Sequence, residues 1–174
     1  MRCPVQNRHV VTSSLPAGRE YPVRPIVSAH AIVLHGDAIL LVRRAHAPGP
    51  GRWSVPGGAV ELGETIQEAA RREVREECGI DVDVTAVADV VDSIIRDERG
   101  QVRFHFVVVY LFAGYASGDV RAGSDAADVL WATRGQLVAL DMSPVARRVV
   151  ERAFDAVSLS QRAGTEAQPR PAGK

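Results

Sequence analysis

The stretch from Thr65 to Cys78 constrains this chain most, because it reads as a helix that places acid where a helix should be apolar. Thr65 is a natural N-cap, Glu68 three residues later completes a capping-box pattern, and Gly79 supplies the C-terminal stop. At 100° per residue, Ala69 and Ala70 fall within about 60° of Ile66 and form one apolar face. Glu68, Arg71, Arg72 and Arg75 fall on the opposite side, as a solvated face would. Glu73 and Glu77, however, project to within about 20° of Ile66, and Glu76 lies on the flank of the same arc. Like charges turned inward must be protonated, paired with cations or bound to metal. The i, i+3, i+4 spacing brings the three carboxylates together. Oxygen donors with no His or Cys nearby suit Mg²⁺ or Mn²⁺ better than Zn²⁺. From the helix alone, an acidic edge paired to arginines explains the pattern equally well.

The rest of the chain is ordinary in composition. Its 174 residues allow one domain with a sizeable core. Twenty-one basic and 21 acidic residues balance, so the basic excess of a nucleic-acid polymer binder is missing. The apolar runs are too short for a membrane span. Cys3 and Cys78 give no disulfide framework, which together with the absence of an apolar leader leads us to expect a cytoplasmic location.

Residues 1–24 hold Pro4, Pro16, Gly18 and Pro22 with little periodicity and read as an arm or tail. A folded domain is expected over 25–160, and a disordered tail over 161–174. Ile26 to Leu34 and Ala38 to Arg43 read as a hairpin around Gly36-Asp37. Ala47 to Gly58, rich in proline and glycine, reads as a loop. Val82 to Ile95 and Val102 to Phe112 read as a second strand pair, followed by a flexible loop over Gly114 to Asp128 and a short strand over Val129 to Ala132. Ser143-Pro144 starts a last helix running to about Val157. Strands interspersed with two helices indicate an α/β or α+β sandwich.

The loop before the acidic helix ends in Gly57-Gly58, where glycine permits close backbone approach and a main-chain carbonyl is a further possible ligand. From Gly58 to Ile80 the chain resembles the Nudix hydrolase family. Gly58, Glu64, Arg72, Glu73, Val74, Glu76, Glu77, Gly79 and Ile80 match the Nudix box without a departure, nine fixed positions over 23 residues. The wider resemblance covers roughly residues 26 to 157.

That resemblance implies a Nudix-type α/β/α sandwich with a mixed β-sheet and a loop–helix–loop catalytic motif. It also implies roles: Glu73, Glu76 and Glu77 as metal carboxylates with the Gly57 carbonyl, Arg72 as the residue orienting a glutamate, and Glu64 as a carboxylate anchoring the helix. The implied reaction is attack of water on a pyrophosphate phosphorus, with Mg²⁺ (or Mn²⁺) neutralising the oxygens. Glu76, Glu77 or Asp125 accepts the proton, and Asp128 is a rival to Asp125.

Leu41 to Ala45, Gly51 to Ser54, Phe104 to Phe106, and Gly123 to Asp128 before Trp131 are similar in arrangement to the ADP-ribose pyrophosphatase branch. Arg43 or Arg44 is suited to gripping a phosphate. Phe104 is suited to stacking on a base, His105 to a hydrogen bond, and Trp53 to lining a pocket. Core packing accounts for Phe104, and surface exposure for His105, at least as well. The expected partner is a small nucleotide, with no nucleic-acid polymer and no membrane; a homodimer is an option by analogy alone. Three functions stand: hydrolysis of ADP-ribose to AMP and ribose 5-phosphate, hydrolysis of an (oxidised) nucleoside triphosphate, and a non-catalytic nucleotide-binding module. The intact glutamates argue against the last.

Overall fold

The computed structural model describes residues 18–46, 48–123 and 126–166, with side chains as far as Leu159. The strands are β1 (Ile26–His35), β2 (Ala38–Arg44), β3 (Trp53–Ser54), β4 (Gly57–Ala59), β5 (Ile80–Arg96), β6 (Val102–Gly118) and β7 (Ala126–Thr133). The helices are α1 (Ile66–Cys78) and α2 (Pro144–Glu166), with a 3-10 turn over Arg134–Ala139. All seven strands join one sheet in the order β3-β2-β1-β6-β5, with β4 added to β1 and β7 to β2. β1 runs parallel to β6 and the other pairs are antiparallel, so the sheet is mixed.

A helix covers each face, which is why β1 and β2 are apolar on both sides. Ala29, Ala31, Val33, Leu40 and Val42 pack with Ala69, Ala70, Val74 and Cys78 of α1. The alternate residues Ile32, Ile39 and Leu41 pack with Val149, Val150 and Phe154 of α2. This is the expected α/β/α sandwich. The β1–β2 hairpin closes through Gly36-Asp37, where Gly36 takes φ 61°, a conformation glycine adopts without a Cβ penalty. Ser143 Oγ accepts from the Ala146 N–H at 3.1 Å and starts α2 as its sequence indicates.

The structure departs from the sequence expectations where pairing is non-local. Two short strands, β3 and β4, form inside the proline- and glycine-rich stretch that reads as a loop, because β2 and β1 offer them edges. β5 begins earlier and ends later than expected, and β6 starts at Val102 as expected but runs on to Gly118, which pairs with Ile80, so residues 114–118 of the expected 114–128 loop are strand. Bulges at Asp81/Val82, Val84/Ala86 and Val87/Asp89 absorb the register changes. α2 continues past Val157 to Glu166, within the stretch expected to be a tail, and no proline stands in the way before Pro169. Among the arm residues described, the Tyr21 N–H donates to the Arg103 carbonyl at 2.7 Å. No helix among the described residues is long and apolar enough to cross a membrane.

Candidate active site

The acidic helix is fixed at both ends by its own sequence. Thr65 Oγ1 accepts from the Glu68 N–H, and the Glu68 carboxylate accepts from the Thr65 N–H at 2.8 Å. Gly79 takes φ 73° and its N–H donates to the Arg75 carbonyl. Ala69, Ala70, Val74 and Cys78 form the buried stripe, centred further round the helix than Ile66, which is only partly buried. This rotation sets Glu73 and Glu77 at the edge of the buried stripe and leaves Glu76 exposed on the flank.

Arg72 is not the solvated residue its wheel position indicates; its side chain is 24% exposed and every guanidinium nitrogen is engaged. Nε donates to Glu64 Oε1 at 2.8 Å and Nη2 to Glu64 Oε2 at 3.0 Å. Nη2 also donates to the Ala59 carbonyl at 3.1 Å. Nη1 donates to Glu73 Oε1 at 2.9 Å and to Glu76 Oε2 at 3.3 Å. The hydrogen bonds from Arg72 hold the Glu64 carboxyl below its ordinary range, and the same contacts raise Arg72. Burial lifts Glu73 instead, with Arg72 opposing the lift.

The glycine pair fits around these acids. The Gly57 N–H donates to Glu77 Oε2 at 2.9 Å. A Cβ on Gly57 would lie 2.4 Å from the Ala29 carbonyl oxygen, so only glycine lets β4 close on β1 here. A Cβ on Gly58 would lie 2.2 Å from Glu73 Oε1, so the glycine makes the cradle in which that carboxylate rests. The C-terminal end of α1 is held by the segment before β7: Arg121 N–H donates to the Cys78 carbonyl and Gly123 N–H to the Glu77 carbonyl.

Beside Gly57-Gly58 opens a cleft of about 440 Å³ on the α2 side of the sheet. Arg44, Trp53, Gly57 and Gly58 are among the residues that line it. Arg44 Nε donates to the Pro48 carbonyl at 3.0 Å; burial lowers the Arg44 guanidinium, and Glu77 opposes that effect. The cleft also takes Ser28, His30 and Tyr110, which sequence reasoning passes over. The available signal is two polar residues, Ser28 and His30, at alternate positions of a strand that is otherwise apolar as far as Leu34. Burial first, then Arg44, holds the His30 imidazole down at about 4, and its ring lies 5.6 Å from that of Tyr110.

Other sequence candidates lie apart from this cleft. Phe104, 4% exposed, belongs to the α2-side core, stacked with Phe106 at 6.3 Å. His105 points from the opposite face of β6 and lines no part of the cleft. Arg43, also outside it, pairs with Asp128 across the β2–β7 ladder at 3.7 Å, both exposed. Asp125 lies outside the described residues. A larger cleft of about 760 Å³ at the β5–β6 turn touches none of Glu64, Glu73, Glu76 and Glu77.

The donor set suits a hard divalent cation: carboxylate oxygens of Glu73, Glu76 and Glu77 and the Gly57 carbonyl, with Glu73 seated in the cradle that Gly58 leaves open. Among the described residues no three acidic, His or Cys side chains are gathered at ligating distance. Arg72 Nη1 instead bridges Glu73 and Glu76, and the Gly57 N–H engages Glu77.

Comparison with known proteins agrees with this arrangement. The family model described as NUDIX domain matches residues 24–153. The chain is 36% identical over 104 residues to the "ADP-ribose pyrophosphatase" of Methanocaldococcus jannaschii, a match covering 60% of this chain and 59% of that relative. It is 33% identical over 123 residues to the "Nucleoside triphosphatase NudI" of Enterobacter sp. (strain 638), covering 67% of this chain and 87% of the relative. The crystal structure of a MutT NUDIX hydrolase from Burkholderia pseudomallei superposes with a TM-score of 0.62 at 28% identity, over 74% of this chain and 97% of that one. A family match over most of the chain, with the box residues assembled around Arg72, means that this chain belongs to the Nudix hydrolase family.

Proposed function

We propose that this chain hydrolyses the pyrophosphate bond of a nucleoside diphosphate derivative in a reaction that needs Mg²⁺ or Mn²⁺, with ADP-ribose, cut to AMP and ribose 5-phosphate, as the substrate. The observation that carries the reading is the Arg72 cluster, which fixes Glu64, Glu73 and Glu76 in one frame beside a cleft opening at Gly57-Gly58. Glu73, Glu76, Glu77 and the Gly57 carbonyl would hold the cation, which when bound neutralises pyrophosphate oxygens and lowers the pKa of a bound water.

The protein's own groups supply positioning and proton transfer. Arg44, within electrostatic reach of Glu77 and Glu73, provides a fixed positive charge for a phosphate in the cleft. Trp53 provides an aromatic wall. Water adds its oxygen to one phosphorus, the bridging P–O bond breaks, and the bridging oxygen leaves on the other phosphate. The water proton passes to a carboxylate, for which Glu76, Glu77 and Asp125 are the candidates. The Arg121–Gly123 contacts to the end of α1 support Asp125, because they bring the preceding loop against the helix that carries Glu76 and Glu77.

The second relative favours another reading, hydrolysis of a nucleoside triphosphate to the monophosphate and pyrophosphate. A panel of nucleotide sugars and triphosphates with Mg²⁺, read as phosphate released after phosphatase treatment, separates the two. Turnover of ADP-ribose well above the triphosphates supports the first reading, the reverse supports the second, and no turnover of either leaves a nucleotide-binding module.

A further inference from the structure

The floor of the cleft beside Gly57-Gly58 contains a polar atom that the fold does not use. Ser28 lies in β1 between Ala59 of β4 and Val108 of β6, so its backbone is tied into the sheet on both sides. The residue is 2% exposed and lines the cleft. Ser28 Oγ has no hydrogen-bond partner among the described residues. A buried hydroxyl without a partner is unfavourable, and alanine at the same place would avoid the cost with almost no change of volume. Folding therefore gives no reason for serine here, whereas a ligand in the cleft does.

The surroundings of Ser28 define what that ligand group must be. On the two-residue period of a strand, Ser28 and His30 share the face turned toward the cleft, while Ala29 and Ala31 pack against α1. Phe106, Val108 and Tyr110 of β6 complete this part of the floor, and none carries a charge at neutral pH. The charged lining residues Arg19, Arg52 and Asp92 are exposed at the mouth. Arg44 is the half-buried cation, within electrostatic reach of Glu77 and Glu73 and also of His30 and Tyr110 on the floor. An uncharged polar group, set between aromatic side chains, would satisfy the hydroxyl without desolvating a charge.

We infer that Ser28 is a specificity-determining residue whose hydroxyl hydrogen-bonds an uncharged polar group on the nucleoside part of the substrate. The inference rests on this cleft being the substrate site of the hydrolase proposed above, and it extends that reading from the phosphates to the nucleoside. The base edge and the ribose hydroxyls offer the same chemistry, and the probes below tell them apart.

The test is equilibrium binding in EDTA, so that no hydrolysis occurs. AMP and ribose 5-phosphate are titrated by calorimetry into the unmutated protein and into Ser28→Ala, and both proteins are melted. The expected result is a loss of about tenfold in AMP affinity with a melting temperature that is unchanged or higher, because the variant removes an unsatisfied group. Ribose 5-phosphate binding that is equal in the two proteins assigns the contact to the base; an equal loss for both probes assigns it to the ribose. AMP affinity unchanged by Ser28→Ala overturns the inference, as does a fall in melting temperature with no change in affinity, or an unmutated protein that binds neither probe. Ser28-dependent AMP binding in a protein that hydrolyses no pyrophosphate would instead defeat the proposed activity and leave this inference standing.

Discussion

Arg72 grips Glu64 eight positions earlier with two parallel hydrogen bonds, Nε to Oε1 at 2.8 Å and Nη2 to Oε2 at 3.0 Å. The pair clamps the loop after β4 onto α1, and the remaining donors of the same guanidinium reach Glu73, Glu76 and the Ala59 carbonyl. Lysine carries the charge but cannot match this fork. Arg72→Lys should therefore lose about 1–3 kcal/mol of stability and most of the turnover. Thermal melting and steady-state kinetics check both, and an unchanged melting point would show that the fork does not hold the loop.

Glu73→Gln separates chemistry from folding. Glutamine keeps an oxygen for Arg72 Nη1 and removes a charge that burial already penalises. We expect the melting temperature to hold while turnover drops by on the order of a hundredfold, as for loss of a metal ligand or its support. Glu77→Gln should behave alike, and excess EDTA should abolish turnover of the unmutated protein. Full activity in EDTA would defeat the metal-dependent mechanism.

Acid should loosen the Arg72 clamp. The folded-state pKa of Glu64 lies below the ordinary value of 4.5, chiefly because of the hydrogen bonds from Arg72. A depressed carboxylate adds stability that is complete above the unfolded pKa and is lost as pH falls through the folded pKa. Glu73 works in the opposite sense, since burial raises it and its penalty eases on protonation. Denaturant midpoints followed from about pH 6 to about pH 3 should fall less steeply for Glu64→Gln than for the unmutated protein. Parallel curves would show that Glu64 does not contribute.

Gly123 sits so close to α1 that a Cβ there would come within 1.7 Å of the Glu76 carbonyl oxygen. Backbone on both sides leaves little room to yield, so Gly123→Ala should cost about 1–3 kcal/mol. Activity should fall as well, because the displaced end of α1 carries Glu76 and Glu77. Gly135→Ala is the control: nothing lies within 4 Å of its Cβ, and stability should hold or rise slightly.

The loop acids can be separated kinetically. Asp128 is exposed and pairs with exposed Arg43 at 3.7 Å, an arrangement worth little. Asp128→Asn should leave turnover near normal, whereas Asp125→Asn should lower it strongly with little change in substrate affinity. Loss on Asp128→Asn alone would move the base to that residue, and full activity in both would return it to Glu76 or Glu77.

Helix α1, its two caps, the β1–β2 hairpin and the start of α2 are all legible in the sequence, because their signals act within a few residues along the chain. Thr65, Glu68, Gly79, Gly36 and Ser143 each perform the local role their type indicates. The box from Gly58 to Ile80 likewise marks the site in one continuous stretch. Long-range packing decided the rest. A wheel sets Arg72 in solvent because it has no knowledge of Glu64 or the Ala59 carbonyl, which only the folded loop delivers. The two-residue period groups Phe104 with Phe106, but only the position of α2 buries Phe104 in the core and leaves Ser28 and His30 lining open space. β6 extends through Gly114 to Gly118 because pairing with β5 outweighs local turn preference. Sequence alone thus determined which residues meet along a helix or across a short turn, and the tertiary structure decided which faces are covered, since coverage depends on elements far apart in the chain.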